Sequence, residues 1–193
     1  MAAKQLSGMT PEELWRLFPI EIRPYDAVYP ERFKRERDSL LALVRGCGVV
    51  RVSHIGSTAV PGLAAKPIVD ILLEVGADAD VDTLKSRLCA EWICMRDVRT
   101  PLRVSFNKGY TPLGFADEVY HLHVVRAGDC GELYFRDWLI EHPDTAAAYA
   151  ALKRSLAGRY RYDRDGYTAA KSDFVRAYTE KAVRLYGARY RAE

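Results

Sequence analysis

Two short segments of this 193-residue chain hold residue types that do chemistry together. Gly56-Ser57-Thr58 offers a small turn, two hydroxyls and exposed backbone N–H groups, a combination able to meet phosphate oxygens. Twelve residues after Thr58 comes Asp70, a carboxylate inside the apolar run Ile68-Val69-Asp70-Ile71-Leu72-Leu73. An acid in such a run must be solvated at a strand end, paired or bound to a metal ion. A phosphate loop beside a metal-holding acid is what nucleotidyl transfer needs. The plain alternatives are a tight turn that requires Gly56 for its backbone angles, and an ion pair between Asp70 and Lys66.

A third cluster is Tyr120-His121-Leu122-His123. On a strand, His121 and His123 point to the same side. With a carboxylate, for which Asp117 just upstream is a candidate beside Asp70, they would make a metal or phosphate site; otherwise they are hydrogen-bonded core histidines. His54, in the strand that runs to Ile55 before Gly56, joins the nucleotide-binding candidates. Lys66, in the extended position before Pro67, and Lys108, in a glycine-bounded segment, are candidate phosphate contacts. Arg159, Tyr160, Arg161, Tyr162, Tyr167 and Lys171 could close over a base, or be helix packing and solvated charge. Nucleotidyl transfer usually wants acids at i and i+2, but the residue two after Asp70 is Leu72, and Glu74 lies about 13 Å along the strand. A second ligand must therefore come from elsewhere in the fold.

The elements that position these groups follow from pattern. Thr10-Pro11-Glu12-Glu13 reads as a capping box opening a short helix within 8–18. Ile20-Glu21-Ile22-Arg23 alternates as an edge strand ended by Pro24. Pro30 opens an amphipathic helix with Phe33, Leu40, Leu41 and Val44 inward and Glu36 among the residues facing mostly water. Strands are expected over 49–55, 68–75, 92–98, 102–106 and 119–125, with a helix over 81–90 turning Leu84 and Leu88 inward. Asn107 to Gly114 reads as a loop. Helices over 133–140, 146–156 and 167–186 close the chain, the last with Ala170, Phe174, Tyr178, Ala182 and Leu185 at helical spacing. The expected architecture is one α/β domain over 1–193, with a mixed sheet core over 20–126 and a C-terminal helical layer over 132–190.

Composition bounds the rest. With 49% hydrophobic and 28% charged residues the chain is an ordinary globular sequence. No run approaches a membrane span, and Met1 to Leu6 lacks a signal-peptide core, so the cytoplasm is the default location. Cys47, Cys89, Cys94 and Cys130 form no Cys-x-x-Cys pair, which predicts buried reduced thiols. The net charge of +3 is too small to argue nucleic-acid binding. Residues 151–193 hold 11 Lys/Arg against 5 Asp/Glu, while the other 150 hold 18 against 21. A basic C-terminal helix could thus help hold a polyphosphate, or simply be solvated. The oligomeric state is not legible.

The chain resembles the GrpB family of the nucleotidyltransferase superfamily. The resemblance rests on Ile22-Arg23-Pro24-Tyr25-Asp26, on His54 to Leu63 with Ala65-Lys66-Pro67-Ile68-Val69-Asp70-Ile71, and on Ser105 to Thr111. Gly114-Phe115, His121-Leu122-His123-Val124 and Phe135-Arg136-Asp137-Trp138-Leu139 to His142-Pro143 add to it. It implies a nucleotidyltransferase-like fold, a small mixed β-sheet flanked by helices. It also marks Gly56 and Ser57 as the phosphate loop and Asp70 as the first metal-binding acid. Leu72 departs from the superfamily pattern, a gap that family members share, and some members are fused to a dephospho-coenzyme A kinase domain. Three readings follow. The first is an enzyme in which Asp70 with Asp117, His121 or His123 holds Mg²⁺ or Mn²⁺, Gly56, Ser57 and Lys66 hold a nucleoside triphosphate, and a small-molecule acceptor attacks. The second is a non-catalytic nucleotide- or coenzyme A-precursor-binding module. The third is a metal-dependent phosphohydrolase built on the histidine pair.

Overall fold

The computed structural model describes residues 5–128 and 130–190, so the N-terminal reading at Met1 to Lys4 lies outside the described residues. Thr10 caps helix α1 (Pro11–Leu17): its hydroxyl accepts from Glu13 N at 3.2 Å, and the Glu13 carboxylate accepts from Thr10 N at 2.7 Å. The capping box read from the sequence is present. Helix α2 (Tyr29–Leu43) has Pro30 in its first turn and buries Leu40 against the sheet. Helix α3 (Val81–Leu88) is capped by Asp80, which accepts from Asp82 N and Thr83 N, and it buries Leu84 and Leu88 fully.

Among the described residues five strands form one sheet: β1 (Val49–Ile55), β2 (Val69–Val75), β3 (Ile93–Arg99), β4 (Leu102–Thr111) and β5 (Gly114–Arg126). Their order is β1-β2-β5-β4-β3, with β2 and β5 parallel and the other neighbours antiparallel. β2 is an interior strand and nearly all buried, as its aliphatic run predicts for a strand covered on both faces. One face carries Val69, Ile71, Leu73, Leu122 and Val124 into a core with Leu40 of α2 and Leu84 and Leu88 of α3. The other carries Leu72 and Val125 against Leu133 of helix α4 (Gly131–Glu141) and Ala182 of helix α6 (Arg164–Tyr186). Helix α5 (Pro143–Arg159) packs on both, with Tyr149 and Ala150 against Phe135 and Leu139. The mixed sheet with a C-terminal helical layer is the architecture the sequence predicts.

Several local expectations are corrected. Ile20 to Arg23 is not a strand: only Arg23 bridges to Ala65, because prolines at both ends leave too little free backbone to extend the pairing. The expected loop over 107–114 is mostly the end of β4, which pairs with β5 until the turn at Pro112-Leu113. Gly109 is there for a strand irregularity, since at φ +87° a Cβ would lie 3.0 Å from Val119 Cα. Glu36 is buried rather than facing water, whereas Leu41 is exposed. On α6, Ala170 and Leu185 are exposed, and Tyr167, Phe174, Tyr178 and Ala182 form the inward line. Cys89 is exposed, while Cys47 and Cys130 are buried.

Candidate functional site

The end of β1 and the start of β2 meet beneath the helical layer. Ile55 and Asp70 are partners in the β1–β2 register, so Gly56 emerges beside the Asp70 carboxylate. Gly56 has φ +71°, a region L side chains rarely adopt, and a Cβ there would come within 3.1 Å of Asp70 Cγ. The turn therefore needs glycine both for its backbone and for room. Ser57 follows, and its Oγ accepts from Lys153 Nζ of α5 at 2.8 Å. Lys153 also donates to the Ala64 carbonyl and lies 4.7 Å from the centre of the Tyr149 ring.

Thr58 and His54 serve the loop itself. The Thr58 hydroxyl donates to the Ile68 carbonyl at 3.1 Å, so its contact with His54 Nε2 at 3.0 Å is an acceptance from the ring N–H. His54 stacks on Phe33 of α2 at 4.8 Å, on the face of the sheet away from the cavity. Burial lowers its pKa to about 4, so it is a neutral structural ring. This corrects the reading of His54 as a nucleotide ligand and commits the Thr58 hydroxyl proton to the fold. Arg136 of α4 donates to the His54 carbonyl at 2.9 Å and to Asp137, which gives the Phe135-Arg136-Asp137 motif a role in fixing β1.

Across β2 and β5, Asp70 pairs with His121 and Leu72 with His123. Asp70 Oδ1 lies 3.0 Å from His121 Nδ1 and 4.0 Å from His123 Nε2, and donor atoms of the three lie within 4.8 Å of one another. Burial would raise the Asp70 pKa, but the hydrogen bonds from His121 and His123 prevail and hold the carboxyl well below the usual carboxylate range. Burial lowers the pKa of His121 against the opposing pull of Asp70, so the pair is a carboxylate facing a neutral imidazole. His121 Nε2 is 2.8 Å from the Tyr110 hydroxyl and 3.3 Å from an Arg164 N–H. Arginine can only donate, so Nε2 accepts and the proton sits on Nδ1, facing Asp70.

Leu72 explains the missing second acid. It is fully buried among Ile55, Val125, Leu133 and Ala182, under α4 and α6, where a carboxylate would have no solvent. The places around Asp70 that face the cavity are filled from β5 instead. Asp117 is not among them: it is exposed and stands four residues before His121, about 13 Å along the strand. Lys108 is also elsewhere. It bonds Glu36 at 2.7 Å and Glu91 at 3.1 Å beside Trp92, on the α2 side of the sheet.

The cavity above Asp70 has a volume of about 730 Å³ and runs between the sheet and α4, α5 and α6. Six Lys and Arg side chains line it against three carboxylates. Lys66 does not pair with Asp70; Lys66 and Lys171 both lie by the Tyr167 ring, at 5.9 and 4.9 Å from its centre. Among the described residues, no acid forms an ion pair with Lys66, Lys153 or Lys171. Burial, with the neighbouring cations Lys171 and Arg164, lowers Lys66 to about 7, and burial with Lys171 and Arg154 does the same to Lys153. Burial lowers Lys171 too. Lysines gathered without ion pairs of their own are a receptor for an anion.

The structure thus brings together Gly56, Ser57, Lys66, Asp70, His121, His123 and Lys171. Of the tail residues, Tyr167 and Lys171 line the cavity, whereas Arg159, Tyr160, Arg161 and Tyr162 do not. Sequence reasoning missed Lys153 and Arg164. Lys153 had a signal: it follows Tyr149 and Ala150 by four and three residues, so a lysine stands on the apolar stripe of α5.

The donor set bears on the metal. One carboxylate and two imidazoles suit borderline ions, whereas Mg²⁺ prefers an all-oxygen shell. Asp70, His121 and His123 therefore fit Mn²⁺ or Zn²⁺ better than the expected Mg²⁺.

Comparisons with known proteins agree with the motifs. The family model described as GrpB protein matches residues 19–181. A UPF0157 protein of Pseudomonas aeruginosa is 39% identical over 158 residues, covering 81% of this chain and 64% of the relative. A UPF0157 protein of Halalkalibacterium halodurans is 34% identical over 194 residues, covering 93% of this chain and 96% of the relative. A dephospho-CoA kinase of Mycolicibacterium paratuberculosis is 31% identical over 183 residues, covering 82% of this chain but 44% of the kinase. The chain spans 64% and 50% of the length of the Pseudomonas and Bacillus subtilis relatives. The crystal structure of conserved protein GrpB from Enterococcus faecalis superposes with a TM-score of 0.74 at 29% identity, covering 86% of this chain and 99% of that one. No helix among the described residues is long and apolar enough to cross a membrane.

Proposed function

The chain belongs to the GrpB family, and from that membership together with its cavity we propose that it binds the phosphates of a nucleotide and transfers the nucleotidyl group to a small-molecule acceptor. One observation carries this reading: Lys153, a buried lysine with no ion-pair partner among the described residues, bonds the Ser57 hydroxyl at 2.8 Å where β1 turns toward Asp70. An unpaired buried cation is costly, and an arriving phosphate would supply the missing counter-charge. Ser57 and Lys153 would hold one end of the polyphosphate, with Lys66 and Lys171 neutralising its other oxygens. Asp70, His121 and His123 would hold a divalent ion, whose chemistry when bound is to stabilise charge on the transferring and leaving oxygens. His123, 41% exposed at its side chain, would be the ligand open to the cavity, where the acceptor hydroxyl would approach and its proton would pass to solvent.

The test is calorimetric titration of the protein with nucleoside triphosphates, with and without Mn²⁺, followed by an assay for pyrophosphate release with pooled hydroxyl acceptors. Binding that Lys153→Met weakens is the expected result; absence of any triphosphate binding overturns the reading.

A second reading is a non-catalytic nucleotide- or coenzyme A-precursor-binding module. Burial of Leu72 favours it, because the second acid of metal-assisted transfer has no place in this fold, and so does the similarity to a dephospho-CoA kinase. Binding that needs no metal and survives Asp70→Asn, with no pyrophosphate released, selects this module over the transferase.

A further inference from the structure

We propose that Asp70, His121 and His123 select a borderline transition ion of the Zn²⁺ and Co²⁺ class over Mg²⁺, and that the ion competes with Arg164 for His121. The proposal goes beyond the nucleotide reading, since it concerns metal uptake in the absence of nucleotide. Three observations carry it. The donors are one carboxylate and two imidazoles from adjacent strands, with Asp70 Oδ1 at 3.0 Å from His121 Nδ1 and 4.0 Å from His123 Nε2. Spacings of this size surround an ion bonded at roughly 2.0–2.2 Å with only small shifts. No further carboxylate joins these three among the described residues, and the i+2 position that would supply one is the buried Leu72. A set with more nitrogen than oxygen favours borderline ions over a hard one.

The third observation is the proton on His121. With Arg164 donating to Nε2 at 3.3 Å, the Nδ1 proton points at Asp70 and blocks the lone pair an ion would need. An ion bound through Nδ1 leaves the proton on Nε2. The Tyr110 hydroxyl, at 2.8 Å, can accept that proton, but Arg164 cannot. Arg164 must then withdraw from the ring. Metal entry and the Arg164 contact are mutually exclusive states of one imidazole.

The experiment uses the full chain after chelator treatment. Uptake of Zn²⁺, Co²⁺ and Mg²⁺ is measured by titration, and the His121 tautomer is read from imidazole ¹⁵N signals. Expected are one equivalent of Zn²⁺ or Co²⁺ bound at least roughly 100-fold more tightly than Mg²⁺, and a proton that moves from Nδ1 to Nε2 on binding. His123→Ala should weaken uptake at least roughly 10-fold, and Arg164→Ala should tighten it. Mg²⁺ binding within 10-fold of Zn²⁺, or uptake unchanged in His123→Ala, overturns the selectivity. An unmoved tautomer, or unchanged or weaker uptake in Arg164→Ala, overturns the competition. The tautomer measurement needs no substitution, so a variant that fails to fold does not decide the matter. Triphosphate binding to the same metal-free protein reports separately on the nucleotide reading.

Discussion

Lys153 Nζ donates to Ser57 Oγ at 2.8 Å, and through this bond helix α5 is tied to the turn that ends β1. A lysine with no acid partner among the described residues, seated on the loop's hydroxyl, marks where an anion would complete the site. Replacing Lys153 with Met keeps the volume and removes the charge. The expected outcome is a loss of about 10- to 100-fold in affinity for tripolyphosphate, the equivalent of one charge-assisted hydrogen bond. Calorimetry on Lys153→Met, with circular dichroism to verify the fold, checks it; an affinity within twofold of the parent removes Lys153 from the site.

Gly56 faces Asp70 with no room for a methyl group and at a φ that only glycine adopts freely. Gly56→Ala should therefore destabilise the protein by about 1–3 kcal/mol and disturb the position of the Asp70 carboxylate. Urea unfolding gives the first quantity. A midpoint equal to the parent's would show that the turn tolerates a side chain after all.

The lysines make anion binding dependent on pH. In an unfolded chain lysine titrates near about 10.4, whereas Lys66 and Lys153 in the fold titrate at about 7. Between these values the unfolded chain holds more protons, so the stability set by these two groups rises with pH from about 7 to about 10.4. Below about 7 both are charged in either state and the burial penalty is felt in full. A bound polyanion needs them charged, so its affinity should fall as pH rises above about 7, with proton uptake on binding at pH 8–9. Titrations in buffers of different ionisation heat measure that uptake, and a pH-independent affinity with no uptake would contradict it.

Leu72→Asp restores the i, i+2 acid pattern in the sequence but should not create a metal site. The side chain is fully buried against Leu133 and Ala182, and an unpaired carboxylate there should cost at least about 3 kcal/mol. A stable, folded Leu72→Asp protein with tighter Mn²⁺ binding would refute the packing account.

Lys108 and Asp117 should separate stability from binding. Lys108→Ala strands the buried Glu36 and should destabilise by about 1–3 kcal/mol without changing triphosphate affinity. Asp117→Asn, at an exposed position, should change neither measurably. A loss of nucleotide or metal affinity in either variant would place those residues back in the site.

The sequence by itself determined the parts whose causes are local. β1 ends where read, at Ile55, because the β-branched run that begins at Val49 gives way to the Gly56-Ser57 turn, and α1 begins at its capping box. Asp70 stood out because a carboxylate in an aliphatic strand needs an explanation, and the two-residue period put His121 and His123 on one side. What only the tertiary structure decided is which faces meet. Parallel pairing of β2 with β5 is a long-range event, and it sets His121 rather than Asp117 beside Asp70. The docking of α4 and α6 turns Leu72 into core, while the docking of α5 and α6 brings Lys153 and Arg164 over the strand ends. His54 and Lys108 went the other way, to the α2 face, since strand neighbours alternate and no local signal says which side will hold the cavity. The phosphate turn and its acid are written in the order of residues, while the cations and the imidazoles that complete them are assembled by packing.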